Sequence, residues 1–159
     1  MPNWVHTVVK FYGKDKQSAM ESIINDEGYV DFEKVIPMPK NIYRGNIGKE
    51  EEKLYGENNW YDWSIKNWGT KWNACESQTY YKDASVVFDT AWSLAYPVLL
   101  KLSEKFPDTK MVVWYADEDI GSNCGKLTFL GGEDIEYSHE GLGWHDQKSR
   151  RFARSVWNR

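Results

Sequence analysis

The chain has 159 residues, of which 41% are hydrophobic and 28% are charged, and its formal net charge at pH 7 is −4. This length suits one domain with its own core, and the composition excludes an intrinsically disordered chain. No apolar run approaches the roughly 20 residues of a membrane-spanning helix and no signal peptide is recognisable, so we expect a cytoplasmic protein without a membrane partner.

The charge is unevenly distributed along the chain. Five basic residues and no acidic ones lie between positions 148 and 159, so the remainder has 15 basic and 24 acidic side chains. An acidic body does not favour nucleic acid. The basic tail is therefore the segment that could bind it.

The first part of the chain predicts a strand, a helix and a second strand. Trp4 to Phe11 alternates its apolar side chains between two faces, and Asp15 to Asp26 carries an apolar stripe at helical spacing that Gly28 ends. Tyr29 to Ile36 then predicts the second strand, which prolines terminate. This order is that of one half of a split βαβ unit.

The next segment, residues 40–69, is predicted to be an insertion that ends in an aromatic helix. Residues 60–73 contain four of the nine tryptophans of the chain. Asn59 is suited to be the N-cap of a short helix from Trp60 to Trp68. Gly69 is suited to be the left-handed residue that ends this helix.

The second half of the chain predicts further strands, two helices and a sheet edge. Strands are expected at Thr70 to Tyr81, Val86 to Trp92, Met111 to Ala116, Lys126 to Leu130 and Ile135 to Tyr137. The first of the two helices is expected at Pro97 to Phe106, between the second and third of these strands. From Asp146 the tail places apolar side chains at helical spacing opposite its arginines.

The predicted fold class is α+β: a ferredoxin-like sandwich with a mainly antiparallel sheet and two helices on one face. The inserted aromatic helix and the C-terminal helix are additions to it. We expect residues 1–144 to form one domain and residues 145–159 to form a basic amphipathic helix.

Several motifs resemble the YubB ferredoxin-like family, and they occur in the family's order. They are Met1 to Trp4, Ile36 to Pro39, Trp60 with Tyr61, Asn67 to Ala74, Phe88 to Ser93 with Pro97, and Tyr115 to Asp119 with Gly121 and Asn123. The resemblance covers roughly residues 1–132. It implies a ferredoxin-like fold and an origin in bacteriophages, plasmids or prophages, but no established reaction.

The tryptophan-rich segment has two interpretations. Its rings form part of the core while the polar residues serve as caps and turns, or Trp68 and Trp72 form a stacking platform beside Lys71 and Asn73. The second interpretation makes these four residues the first half of a predicted binding site.

The acidic run Asp117, Glu118 and Asp119 follows a buried strand and, with Asn123, completes the predicted site. These side chains either form turn hydrogen bonds and pair with Lys71 or an arginine, or bind a divalent cation. Consecutive strand residues point in opposite directions, so at most two of the carboxylates face one site. We predict no metal and no cofactor.

No catalytic motif is recognisable in the sequence. The histidines are scattered, and Cys75 and Cys124 lack both metal-ligand spacing and the number that an iron–sulphur cluster needs. The prediction is a non-enzymatic binding protein of a mobile element that modulates a host system, such as an antiviral defence, by binding a host protein or a small nucleotide-like ligand.

Two alternatives remain open. In the first, the protein is an enzyme acting on a nucleotide or phosphoester, with Asp117 and Asp119 holding a metal and Lys71 contacting phosphate. In the second, it binds nucleic acid through the tail, by the side chains of Lys148, Arg150, Arg151 and Arg154.

Overall fold

The structure is a computed structural model that describes residues 1–138 and 145–159. Its elements, in chain order, are β1 (Trp4–Tyr12), α1 (Lys16–Ser22), a 3₁₀ helix (Phe32–Lys34), α2 (Lys49–Tyr55), α3 (Trp60–Asn67), β2 (Cys75–Tyr80), β3 (Ser85–Ala91), α4 (Tyr96–Lys105), β4 (Lys110–Asp117), β5 (Cys124–Leu130), β6 (Glu133–Ser138) and α5 (Gln147–Trp157).

The strands form one antiparallel sheet in the spatial order β2-β3-β1-β4-β5-β6. The first four strands in this order have the ferredoxin-like arrangement, because β3 lies between β1 and β2, and β1 lies between β3 and β4. The elements β1, α1 and β2 form one split βαβ unit, and β3, α4 and β4 form the other. The predicted α+β class and ferredoxin-like sheet are confirmed.

One face of the sheet packs against α1 and α4 and forms the main core. Alternate residues of β1 enter this core, as the strand period requires, and Val5, Val9 and Phe11 are almost fully buried there. Leu99 and Leu102 of α4 are fully buried against the same face. The prediction of two helices on one face is therefore correct.

The other face of the sheet is covered in part by α5. Ala153 and Val156 of this helix are fully buried and pack with Val8, Val87 and Ala116 of the sheet. The helix starts at Asp146, whose carboxylate accepts a hydrogen bond from the backbone N–H of Ser149 at 2.7 Å. Its position explains the amphipathic pattern of the tail.

The predicted strand from Tyr29 to Ile36 is wrong. This segment makes one isolated bridge, between Val30 and Ile24, and then turns into the 3₁₀ helix. The side chain of Asp31 caps that helix, and the side chain of Asn73 accepts the backbone N–H of Phe32 at 2.8 Å. The second strand of the first βαβ unit is instead β2.

The first helix also ends earlier than predicted, at Ser22 rather than Asp26. After it the chain must reverse to form the bridge between Ile24 and Val30, and Gly28 makes that reversal with a φ of +87°. An apolar residue such as Ile23 is buried here without belonging to the helix. The hydrophobic period therefore extends beyond the helix itself.

The predicted aromatic helix is present as α3. The side chain of Asn59 caps it by accepting the N–H of Asp62 at 2.8 Å, and Gly69 follows with a φ of +77°. Ser64 is buried while Ile65 is 40% exposed. The strand predicted from Thr70 starts only at Cys75, because residues 70–74 form a turn.

Candidate ligand-binding surface

One end of the sheet brings together the tryptophan-rich segment and the acidic run. The register pairs Trp4 at the start of β1 with Ala91 at the end of β3, and Val5 with Asp117 at the end of β4. The start of β1 and the residues that follow β3 and β4 therefore meet at the same end of the sheet, which we call this edge. Trp92, which comes directly after β3, lies at this edge.

Trp92 has an unusual backbone conformation and an exposed ring. Its φ is +70° and its side chain is 42% exposed. A left-handed conformation is rare for a bulky residue and costs on the order of 1–3 kcal/mol. The backbone is held by two hydrogen bonds, from its N–H to the carbonyl of Asn3 at 2.8 Å and from the side chain of Asn123 to its carbonyl at 3.2 Å.

The ammonium group of Lys71 lies beside the rings of Trp92 and Trp72. The Nζ of Lys71 lies 5.1 Å from the ring centre of Trp92 and 4.3 Å from that of Trp72. Trp4 lies 6.0 Å from Trp72, and the edge of Tyr61 faces Trp92 at 6.4 Å. We call these five residues the aromatic–lysine cluster. Its cation–π contacts orient the ammonium group without neutralising its charge.

A cleft of about 610 Å³ adjoins the cluster and is lined by residues of α3 and by Trp92. Its residues combine apolar rings and an isoleucine with charged groups: Tyr61, Trp63, Ile65, Trp92, Glu57, Asp62 and Lys66, together with Asn58 and Asn67. This volume and this mixture are typical of a ligand or partner site.

The carboxylate of Asp117 is buried and holds neighbouring loops together. It accepts the N–H of Asp119 at 2.8 Å and hydrogen bonds from the side chains of Asn3 and Asn123, each at 3.3 Å. Glu118 accepts the backbone N–H of Trp4 at 2.9 Å. These side chains fix the strand ends on which the aromatic–lysine cluster is built.

The three carboxylates do not converge on one point. The carboxylate of Asp119 lies 3.3 Å from Nε2 of His145, away from the bonds that Asp117 makes. Among the residues that the structure describes, no group of three or more histidine, cysteine or acidic side chains is arranged to hold a metal ion. The acidic run therefore acts at this edge as hydrogen-bonding support.

Two residues of the predicted site bond to the 3₁₀ segment. Trp68 is 4% exposed, donates its ring N–H to the carbonyl of Ile36 at 2.9 Å and packs against Phe32. Asn73 is half-buried, accepts the N–H of Phe32 and donates to the carboxylate of Asp31, both at 2.8 Å. Both side chains thus hold the 3₁₀ segment, and their part in binding stays a prediction.

The basic residues of the tail are exposed and lie on one side of α5. Each residue turns the helix by about 100°, so Arg150, Arg151 and Arg154 fall within about 100° of one another and Lys148 extends this arc to about 160°. Arg150 and Arg154 also line a depression with Asp119 and His145. Nucleic-acid binding by the tail stays a prediction.

A half-buried pair on the other sheet face was absent from the predictions. Nδ1 of His6 lies 2.6 Å from the carboxylate of Asp89, and the ring of His6 stacks on Trp157 at 4.9 Å. The sequence carries a signal for this pair, because a carboxylate interrupts an otherwise buried apolar strand. Trp92 carries no such signal, since its backbone conformation depends on distant residues.

The thiols are poorly suited to act as nucleophiles. Burial raises the pKa of the Cys75 thiol, and the carboxylates of Asp89 and Glu76 act in the same direction. Burial also raises the pKa of Cys124, with a contribution from Asp146. Because the thiolate is the reactive form, both shifts lower its population at neutral pH.

Comparison with known proteins places these features in a family context. A family model described as a ferredoxin-like domain in Api92-like protein matches residues 67–157, more than half of the chain. No curated protein matches this chain. A crystal structure of a protein Api92 from Yersinia pseudotuberculosis is similar, with 17% sequence identity and a TM-score of 0.48.

That match covers 71% of this chain and 40% of the other, so the chain spans about two fifths of the length of that protein. Within residues 1–138 and 145–159, no helix is both long enough and apolar enough to cross a membrane.

Proposed function

The chain belongs to the family of ferredoxin-like domains in Api92-like proteins, and on this premise we propose that it is a non-enzymatic binding protein. It engages a protein partner through the aromatic–lysine cluster and the cleft beside α3. A small nucleotide-like ligand is the alternative occupant of the same surface. The enzyme hypothesis is weaker, because Asp117, one of the two carboxylates it requires, is buried and already accepts hydrogen bonds, and Asp119 lies against His145.

The observation that carries this proposal is the exposed, strained Trp92. Trp92 leaves 42% of its surface exposed while its backbone keeps an unfavourable conformation. Such strain is common where function requires a residue in a fixed place. Tryptophan is also the residue type most enriched at the energetic centres of protein–protein interfaces.

The chemistry of the cleft indicates the kind of partner. Tyr61, Ile65 and Trp92 offer apolar surface, and Glu57 and Asp62 add carboxylates beside it. A partner segment with an apolar side chain flanked by a basic one would match both features. Lys71, held between its two rings, would contact an acidic group or a carbonyl of the same partner.

The biological setting is part of this proposal. The motifs that resemble the YubB family imply an origin in a phage, a plasmid or a prophage. A small binding protein from such an element would act in the bacterial cytoplasm on a host protein, for instance one of an antiviral defence system.

The test compares Trp92→Ala with Tyr29→Ala, which removes an aromatic side chain that is 52% exposed elsewhere on the surface. Each full-length variant, once its melting temperature shows that it is folded, is immobilised and incubated with nuclease-treated bacterial lysate. Retained proteins are identified by mass spectrometry. The decisive measurement is calorimetry with the purified partner, where we expect Trp92→Ala to weaken binding by about 30-fold or more.

The result that contradicts the proposal is equally concrete. If Trp92→Ala and the parent bind every retained protein equally, the cleft is not the interface. If the purified protein instead turns over a nucleotide with a divalent cation, and Asp119→Asn abolishes that activity, it is an enzyme. Tight binding of a free nucleotide that Trp92→Ala removes would assign the cleft to the small ligand.

A further inference from the structure

The sheet face that carries α5 continues beyond this helix toward the end of β1. The apolar cluster that α5 forms with the sheet contains Val8, Val87 and Ala116, and Trp114 packs against it. The register places further side chains on the same face past this cluster. Lys10 and Tyr12 follow Val8 along β1, and Trp114 lies opposite Val8 on β4.

Two aromatic rings of this face, Trp114 and Tyr12, have cations beside them. The guanidinium of Arg159 lies 4.7 Å from the ring centre of Trp114, and the Nζ of Lys126 lies 5.7 Å from it. Lys110 and Lys10 lie 5.0 and 5.6 Å from the ring of Tyr12. We call these two rings and four cations the open sheet face.

The four cations are not neutralised by the protein. Within the described part of the chain, the ion pairs that form are His6 with Asp89, Lys101 with Glu104, and His145 with Asp119. Two acidic side chains lie near these cations: Asp83 lines a groove together with Lys10 and Arg159, and Glu136 lies on the outermost strand. Positive charge therefore dominates here although the chain as a whole has a net charge of −4.

We propose that the open sheet face binds single-stranded nucleic acid, a function separate from that of the cleft. Bases would stack on Trp114 and Tyr12, and the surrounding cations would contact phosphates. A groove of about 430 Å³ runs between Trp114 and Tyr80 and continues this platform toward β2. Aromatic rings interleaved with cations are the pattern by which proteins bind unpaired bases and their backbone together.

Other anions match the face less well. A free phosphate or an acidic peptide would use the cations but leave the rings without a role. A duplex hides the faces of its bases, so it could not use the rings either. The stacked single strand is the occupant that uses both features.

The proposal assigns binding to the sheet rather than to the exposed arginines of α5, which gives a discriminating test. The probe is a fluorescein-labelled oligouridylate or oligothymidylate of about 12 nucleotides, a length that one such domain can span. Its fluorescence anisotropy is measured with full-length protein at about 50 to 200 mM salt. The charge variants are Lys10→Gln with Lys126→Gln, and the stacking variant is Tyr12→Leu.

Three variants serve as matched controls. Lys101→Gln removes one positive charge from α4, which packs on the opposite face of the sheet, and Arg154→Gln removes one from the tail. Tyr29→Leu removes an exposed tyrosine far from the open sheet face. Melting temperatures are recorded for all variants, so that weaker binding is not confused with incomplete folding.

We expect the double lysine variant to weaken binding. The slope of the logarithm of the binding constant against the logarithm of salt concentration should become shallower by about 0.7 for each phosphate that is no longer neutralised. Tyr12→Leu should weaken binding by about fivefold or more without changing the slope. The controls should bind like the parent.

Several results would overturn the proposal. Absence of binding at low salt, or equal binding by all variants, would remove the open sheet face as a site. A decrease confined to Arg154→Gln would assign binding to the tail. If heparin competes as well as the oligonucleotide and Tyr12→Leu has no effect, the face attracts polyanions in general and recognises no bases.

Discussion

The turn at Gly69 connects α3 to the segment that carries Lys71 and Trp72, and replacing this glycine tests how tightly the turn is packed. Its φ is +77°, which an alanine adopts at a cost of about 1–2 kcal/mol. A methyl group at this position would also lie 2.7 Å from Cδ and 3.3 Å from Cγ of Pro97. Carbon atoms pack best at about 3.5–4.0 Å, so the first turn of α4 would have to move.

Gly28 provides a matched comparison for this substitution. Its φ is +87°, and an added methyl group would find the hydroxyl of Tyr81 at 3.7 Å, an ordinary contact. Gly28→Ala should therefore cost only the backbone term, about 1–2 kcal/mol. Gly69→Ala should cost about 1–3 kcal/mol more, since overpacking against a rigid ring adds to that term.

The assay is urea unfolding of both variants and the parent, followed by tryptophan fluorescence, with thermal unfolding as a second measure. A chain of this size loses about 2–4 °C in melting temperature for each kcal/mol. The reasoning is refuted if the two variants lose the same stability within about 0.5 kcal/mol, the accuracy to which independent substitutions add. Such equality would mean that Pro97 does not limit the turn.

Two further predictions concern residues that the structure shows to be structural. Asn73→Ala should cost about 1–3 kcal/mol, because it leaves the N–H of Phe32 without its acceptor and removes one hydrogen bond to the carboxylate of Asp31. A destabilisation below about 0.5 kcal/mol in urea unfolding would contradict this. Burial and a hydrogen bond with Tyr137 raise the pKa of Tyr115. The unfolded chain therefore ionises first and stability falls as pH rises above about 10, a decline that Tyr115→Phe should reduce; equal declines in unfolding midpoint for parent and variant would exclude the mechanism.

Much of the fold could be predicted from local patterns in the sequence. The central strand at Met111 to Ala116 is continuously apolar, and the structure buries it as β4 between two strands. The caps of α3 were predictable for the same reason: Asn59 and Gly69 satisfy the helix ends by themselves, whatever the rest of the chain does. Of the predicted site, Lys71 and Trp72 do lie in the aromatic–lysine cluster.

The remaining features depend on contacts between residues that are distant in the sequence. Tyr29 to Ile36 has the composition of a strand, but Asn73, 41 residues beyond Phe32, takes the N–H that a sheet neighbour would have taken. Trp92 belongs by its period to a strand, and hydrogen bonds with Asn3 and Asn123 hold it in a left-handed conformation instead.

The sequence by itself thus determined the helices, most of the strands and the α+β class, because these follow from periodicity and from caps within one segment. Only the tertiary structure decided which tryptophans are buried and which are exposed. It alone also brought cations from three strands and the C-terminal end of the chain to one sheet face, because strand register and helix packing are set by the whole core rather than by any single segment.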